Sequence, residues 1–265
     1  MESGIVGYQT IKLPVGYSLF TVTFKTPGKT TLDIKDIVLC NKDGVVMDDT
    51  DGETPLMRCR GDVFFQKINP ATGLMTDAIY DYTTKNSTGW RLDGEPIEER
   101  GECVFKSGEA IYFKNDLENE DTEQFEEICL RVSGEVELTP YTMELIPGYS
   151  LIGNPTPVRV DLTTVKLCNA NKVEMDDTAE ETPLMRCRGD VFFQKINPAT
   201  GLMTDAIYDY TTKNGIGWRL DGETVEEKTV YLEPGESVYF KNDLENEETG
   251  LQESVYLKFP SPVAK

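Results

Sequence analysis

The residues of this sequence best suited to chemistry are its six cysteines and 47 acidic side chains, because the chain contains no histidine. This absence excludes Ser-His-Asp and Cys-His catalysis and the usual catalytic zinc sites. Paired carboxylates can hydrolyse glycosidic bonds, but among so many acidic residues chance pairs are unavoidable and carry no weight. No phosphate-binding or dinucleotide-binding motif is present. The sequence therefore predicts a protein that is not an enzyme and needs no cofactor, calcium aside.

The chain contains an internal duplication, and comparison of its two copies allows the cysteine positions to be interpreted. Residues 47–95 return as residues 175–223 with four differences in 49 positions, whereas the flanking segments have diverged. Functional constraint and recent sequence exchange between the copies explain the unchanged block equally well. A repeat of this length has the size of a domain, so we predict one domain at 1–134 and a second at 135–265.

The cysteines appear and vanish in pairs between the two copies. Cys103 and Cys129 are replaced by Val230 and Tyr256, whereas the other four cysteines occupy matching positions. Cysteines that come and go together behave as bonded pairs, which predicts three disulfides: Cys40–Cys59, Cys168–Cys187 and Cys103–Cys129. Disulfides persist in oxidising compartments and so indicate a secreted or cell-surface protein. The alternative is a set of buried free thiols, as is common inside cells.

Short alternating apolar runs, separated by turn residues, indicate antiparallel strands along both copies. Clear examples are residues 62–68 and 74–84, which flank the Asn-Pro-Ala-Thr-Gly loop, and the Asp93-Gly94 hairpin signal. No sustained helical periodicity is visible. We predict an all-β protein with very little helix, consisting of two tandem homologous β-sandwich or small β-barrel domains.

The acidic residues favour cationic partners and divalent ions. A net charge of −21 makes nucleic acid and anionic membrane surfaces unlikely partners, and no apolar run is long enough to insert into a bilayer. Clustered carboxylates suit Ca²⁺, and the candidate ligands are Asp48, Asp49, Asp51, Asp116, Glu118 and Glu120. The more common meaning of such a charge run is a solvated loop.

An aromatic platform for sugars is the other candidate site. Trp90 and Trp218 lie near pairs of tyrosines in each copy, an arrangement that suits stacking on a glycan. Aromatic residues in strands more often pack in the core, and alternation places Tyr80 and Tyr82 on one such face.

Several short motifs together resemble uncharacterised secreted β-repeat proteins of gut bacteria. These are Ile5-Val6-Gly7-Tyr8-Gln9-Thr10, Gly16-Tyr17-Ser18-Leu19, the Trp90 hairpin and Ser107-Gly108-Glu109. The resemblance implies secretion and repetition, and it implies no activity. We expect a non-catalytic structural protein that assembles with itself into a ring or filament. The alternative is a bivalent module that binds a glycan or a cell surface.

Overall fold

Antiparallel strands make up most of this chain in a computed structural model, which confirms the predicted all-β class. The structure describes residues 6–47, 60–69, 74–84, 89–97, 103–119, 122–175, 187–197, 203–212, 216–225, 230–246 and 249–263. Within them, 3-10 turns occur at Ile34–Asp36 and Leu162–Thr164, and no helix is long and apolar enough to cross a membrane.

The chain divides into two compact units. Residues 1–68 and 75–136 form the first unit, and residues 69–74 and 137–265 form the second. The boundary predicted after residue 134 falls inside the last strand of the first unit, two residues before that unit ends.

The first unit contains thirteen strands in the described residues. They are β1 (Val6–Leu13), β2 (Gly16–Thr21), β3 (Leu32–Asp33), β4 (Ile37–Asn41), β5 (Arg60–Lys67), β6 (Tyr80–Thr83), β7 (Gly89–Leu92), β8 (Glu95–Pro96), β9 (Val104–Phe105), β10 (Ala110–Asn115), β11 (Glu118–Asn119), β12 (Gln124–Phe125) and β13 (Ile128–Glu135). Its larger sheets have the strand orders β1-β13-β4 and β2-β10-β5-β6-β7-β8.

The second unit contains eleven strands in its described residues. They are β14 (Tyr141–Leu145), β15 (Gly148–Gly153), β16 (Val160–Asp161), β17 (Lys166–Cys168), β18 (Arg188–Ile196), β19 (Met203–Thr211), β20 (Gly217–Leu220), β21 (Glu223–Thr224), β22 (Tyr231–Leu232), β23 (Ser237–Asn242) and β24 (Val255–Phe259). The orders β14-β24-β17 and β15-β23-β18-β19-β20-β21 repeat those of the first unit strand for strand.

Each unit has one apolar core that receives side chains from both of its larger sheets. In the first unit Leu39 and Leu130 come from the three-stranded sheet, and Phe65 and Phe113 come from the six-stranded sheet. The Phe65 ring stacks on Tyr80 at a centroid distance of 4.6 Å and meets the edge of Trp90 at 5.1 Å. The alternation of strand side chains thus leaves one face of each sheet for the core.

The Asp-Gly turns that join β7 to β8 and β20 to β21 have the geometry expected from their sequence. Both residues of each turn are left-handed, with φ angles of 52° at Asp93 and 84° at Gly94 and the same values at Asp221 and Gly222. Two consecutive positive φ angles define the type I′ turn, whose twist matches that of a β-hairpin.

A buried asparagine holds three segments together in each unit. It explains why the sequence Lys-Asn-Asp-Leu occurs both at residues 114–117 and at residues 241–244. The side-chain Nδ2 of Asn115 donates to the carbonyl oxygen of Glu126 at 2.8 Å, and its Oδ1 accepts from the backbone N–H of Leu117 at 3.1 Å. Asn242 makes the equivalent bonds, including one from its Nδ2 to the carbonyl oxygen of Leu145 at 3.1 Å.

We expect Asn115→Ala to lower the free energy of unfolding by about 2–3 kcal/mol, because it leaves buried backbone groups without hydrogen-bond partners. Urea denaturation followed by tryptophan fluorescence measures this. Glu118→Ala, three residues away and exposed, serves as the control and should change stability by less than about 0.5 kcal/mol. Equal effects of the two changes would contradict the role given to Asn115.

Candidate interaction surfaces

Strand β1 lies at the edge of its sheet, with β13 as its one neighbour among the described strands. The hydrogen bonds of β13 show which backbone groups of β1 face the open edge. On the side of β13 away from β1, Glu135 exchanges backbone hydrogen bonds of 2.7 and 3.0 Å with Lys25. Because backbone groups in an antiparallel ladder alternate in direction, Gly134 must face β1, where its partner is Gly7.

The same alternation points the backbone N–H and C=O groups of four β1 residues away from β13, towards the open edge of the sheet. Their N–H and C=O groups have no backbone partner among the described residues, and they belong to Val6, Tyr8, Thr10 and Lys12. All four side chains are exposed, with Val6 at 64% and Tyr8 at 75%. A long edge strand with a single charge is a template for pairing with another strand.

The corresponding edge of the second unit is protected. Leu13 and Leu145 occupy equivalent ladder positions, opposite Ile128 and Val255. Counting back from them, Tyr8 corresponds to Pro140, which has no N–H and lies outside the five-residue strand β14. Short edges, prolines and charges are the usual devices that prevent edge-to-edge pairing, so only the first unit offers an open edge here.

The second surface is a row of side chains across the outer face of each six-stranded sheet. Direct cross-strand pairing aligns five residues in the first unit: Tyr17, Lys114, Phe64, Asp81 and Arg91. The same pairing aligns Tyr149, Lys241, Phe192, Asp209 and Arg219 in the second. We call each of these sets a transverse row.

Exposed tyrosine rings and lysine cations dominate one end of each transverse row. Tyr17 is 50% exposed, and the Lys114 Nζ lies 5.3 Å from its ring centroid while pairing with Asp116. Tyr149 is 45% exposed, and the Lys241 Nζ lies 5.3 Å from its ring centroid. Aromatic faces beside fixed charges are suited to binding polar ligands that carry apolar faces.

A partly buried aspartate lies near the other end of each row. Burial raises the pKa of Asp81, the Arg91 guanidinium opposes that rise, and Asp93 adds to it. The pKa of Asp209 is raised by the same cause, with Arg219 opposing and Asp221 adding. The ionised form of both carboxyl groups is therefore disfavoured by folding.

The tryptophans predicted as a glycan platform are buried instead. The Nε1 of Trp90 donates to the carbonyl oxygen of Ile37 at 3.0 Å, and Trp218 makes the same bond to Val165. Tyr82 packs edge-on against Trp90 at 5.0 Å. Because both indoles lie in the cores, neither can offer a face to a sugar. The exposed aromatic residues of the two six-stranded sheets are Tyr17 and Tyr149, which belong to the transverse rows.

The predicted calcium ligands do not form a site in the described part of the chain, where no three Asp, Glu, Cys or His side chains are placed to hold a metal ion. Asp116 pairs with Lys114, and Glu118 is exposed on strand β11. Asp48, Asp49, Asp51 and Glu120 lie outside the described residues. Strands β11 and β12 form a hairpin in this acidic segment, and the Nδ2 of Asn119 donates across it to the Oε1 of Glu126 at 2.9 Å.

None of the five described cysteines forms one of the predicted disulfides. Cys40, Cys103, Cys129, Cys168 and Cys187 all carry free buried thiols, so the Cys103–Cys129 and Cys168–Cys187 bonds are not formed. Cys103 belongs to the core, whereas Cys129 lies between the core residues Ile128 and Leu130 and faces the opposite side of its sheet. Cys59, the partner predicted for Cys40, lies outside the described residues.

No protein-family model matches the chain, and no curated protein matches it either. The two surfaces therefore rest on geometry alone. One sequence feature includes a member of each transverse row: outside the unchanged block, residues 112–120 and 239–247, which contain Lys114 and Lys241, are identical although their flanks have diverged. The β1 edge has no such signal, because hydrogen-bond direction depends on the register of pairing.

We expect the protein to become more stable as the pH falls from 7 towards 4. A carboxyl group whose pKa is raised by folding binds its proton more tightly in the folded state, so protonation near and above pH 3.8 stabilises the fold. The double variant Asp81→Asn, Asp209→Asn should have a higher melting temperature at pH 7 and a weaker pH dependence. Asp205→Asn is an exposed control for the loss of charge. If the control raised the melting temperature as much, burial would not be the cause.

Proposed function

We propose that this chain is a non-catalytic structural protein of the cell surface or extracellular space, and that it self-associates by strand pairing at β1. The outward N–H and C=O groups of Val6, Tyr8, Thr10 and Lys12 carry the proposal. The lack of histidine supports a role without catalysis, and the resemblance to secreted β-repeat proteins supports the location. We also infer that each unit is a β-sandwich, because both larger sheets contribute to one core.

A second copy of this chain is the simplest occupant of the β1 edge. Two β1 strands that pair antiparallel about a twofold axis extend two three-stranded sheets into one and close a dimer. Pairing of β1 with a different edge strand of the next chain is heterologous and continues as a ring or filament. The mass of the assembly separates these two modes.

The charge of the chain opposes this association and makes it sensitive to salt. Each copy carries a net charge of −21. Repulsion between copies acts over about 30 Å at 0.01 M ionic strength and about 8 Å at 0.15 M. Strand pairing should therefore strengthen as salt is added.

We expect native protein at 0.15 M salt to exceed the 29.8 kDa mass of one chain in multi-angle light scattering. Tyr8→Pro should return it to the monomer, because proline removes an outward N–H from the edge. The ladder to β13 should survive, since the N–H of Tyr8 does not point towards β13. The second unit already has proline at this position, in Pro140.

The double variant Tyr17→Ala, Tyr149→Ala is the control, because it alters both transverse rows and leaves β1 intact. It should associate like the native protein, and circular dichroism should show that all variants are folded. A native protein that stays monomeric at every salt concentration would refute self-association. An assembly lost only in the tyrosine variant would place the contact at the transverse rows.

The transverse rows favour a second candidate function, bivalent binding of a repetitive glycan. Two copies of the same exposed tyrosine and lysine arrangement on one chain can gain avidity of 10²–10⁴ from a repetitive ligand. We expect a glycan array to show binding that Tyr17→Ala and Tyr149→Ala each weaken, and that the double variant loses. Tyr8→Pro should leave such binding unchanged in a monomer. Binding to no glycan, or equal binding by the double variant, would exclude this function.

A further inference from the structure

Two cysteines of the first unit are direct neighbours across two strands. Cys40 of β4 lies opposite Cys129 of β13 in the antiparallel register. Opposed residues in such a ladder have Cα atoms about 4.5 or 5.5 Å apart, and disulfides span Cα distances of about 4.4–6.8 Å. Side chains of opposed residues lie on the same face of the sheet. The register therefore places the two cysteines at a spacing that a disulfide can span.

The cysteine pair lies on the outer face of the three-stranded sheet, beneath charged side chains. Cys40 is 1% exposed and Cys129 is 4% exposed, and neither is part of the packed cluster that contains Leu39 and Leu130. The exposed Lys12 lies opposite Cys129 on β1. Burial raises the pKa of both thiols, while Arg131 beside Cys40 and Lys12 beside Cys129 act against that rise. The charged groups of Arg131 and Lys12 thus lie close to the pair.

The other described cysteines have different surroundings. Burial raises the pKa of Cys103 and of Cys187 to about 11, and both thiols lie within the cores. The thiol of Cys187 donates to the carbonyl oxygen of Tyr210 at 3.3 Å. Cys168 has the ladder position of Cys40, but its opposite residue is Tyr256. Among the described residues, only the first unit therefore brings two thiols face to face.

We propose that Cys40 and Cys129 are the site of a reversible cross-strand disulfide, formed by exchange with a small-molecule disulfide. The thiolate of one cysteine attacks the S–S bond of oxidised glutathione, forming a mixed disulfide and releasing one glutathione. The thiolate of the other cysteine then attacks the mixed disulfide, closes the Cys40–Cys129 bond and releases the second glutathione. Two protein thiols are oxidised, one glutathione disulfide is reduced, and the two protons lost by the protein thiols are taken up by the released glutathione thiolates.

The bond would join β13, the central strand of the sheet to which β1 belongs, to its other neighbour β4. It closes a long loop of chain, and such links restrict the unfolded state most strongly. Oxidation would therefore stabilise the sheet without requiring self-association. Its test is independent of the function proposed above, because it needs neither a partner chain nor a ligand.

The experiment treats the full chain with oxidised glutathione, then counts free thiols in denaturant and maps bonded peptides by mass spectrometry. Native protein should fall from six free thiols to four, because one bond consumes two. The mapped bond should be Cys40–Cys129, and the melting temperature should rise by about 5 °C or more over the reduced protein. Reduction should restore all six thiols.

Two variants connect this result to the register. Cys129→Tyr gives the first unit the residue that the second unit has at this position, and it should keep all five of its thiols free. Tyr256→Cys places a thiol opposite Cys168 and should create a second oxidisable pair, so that seven thiols fall to three. The proposal is overturned if native protein keeps six thiols after oxidation. It is equally overturned if the bond maps to Cys59 or persists in Cys129→Tyr.

Discussion

The structure depends on the alternation of side chains along antiparallel strands, which makes the two faces of every sheet chemically different. In the first unit, the residues on either side of Phe64 and Asp81 face inward, where Phe65 packs against Tyr80 and Trp90. Because the inward residues pack in the core, they fix the register of the strands. Each outward residue is thereby aligned with outward residues of the neighbouring strands. Two such alignments are the transverse rows, with their tyrosine and lysine ends, and the cysteine pair on β4 and β13. A register slip of one residue would exchange core and surface along a whole strand.

Much of the fold could be predicted from local sequence, because the deciding interactions are local. Turn residues marked the hairpins, and the Asp93-Gly94 dipeptide adopts the left-handed angles that its turn requires. Tyr82 was correctly expected on a buried face from alternation alone. The partners of the cysteines could not be obtained in this way. Loss of Cys103 and Cys129 together suggested a bond, but Cys103 lies in the core and Cys129 opposes Cys40, an arrangement set by pairing between distant strands.

The interaction surfaces escaped prediction for a related reason. The tryptophans drew attention because of their residue type, yet the indole N–H groups satisfy backbone carbonyl groups of Ile37 and Val165 within the cores. What exposes Tyr8 and Tyr17 is their place in the sheets. Tyr8 lies on an edge strand, and its outward backbone groups follow from the hydrogen bonds between Glu135 and Lys25. Sequence patterns report which residues alternate, but not which strand has only one neighbour.

The bonds of Trp90 to Ile37 and of Trp218 to Val165 have a consequence for how the chain folds during synthesis. The hairpin that carries Trp90 (β6 and β7) and the one that carries Trp218 (β19 and β20) have almost the same sequence. The carbonyl groups that accept their indole hydrogen bonds belong to different residues, Ile37 in one unit and Val165 in the other. A hairpin of one unit therefore fits the core of the other nearly as well as its own, which is the situation in which neighbouring repeats exchange segments. The divergent strands β1, β13, β14 and β24 are then what distinguish the two units.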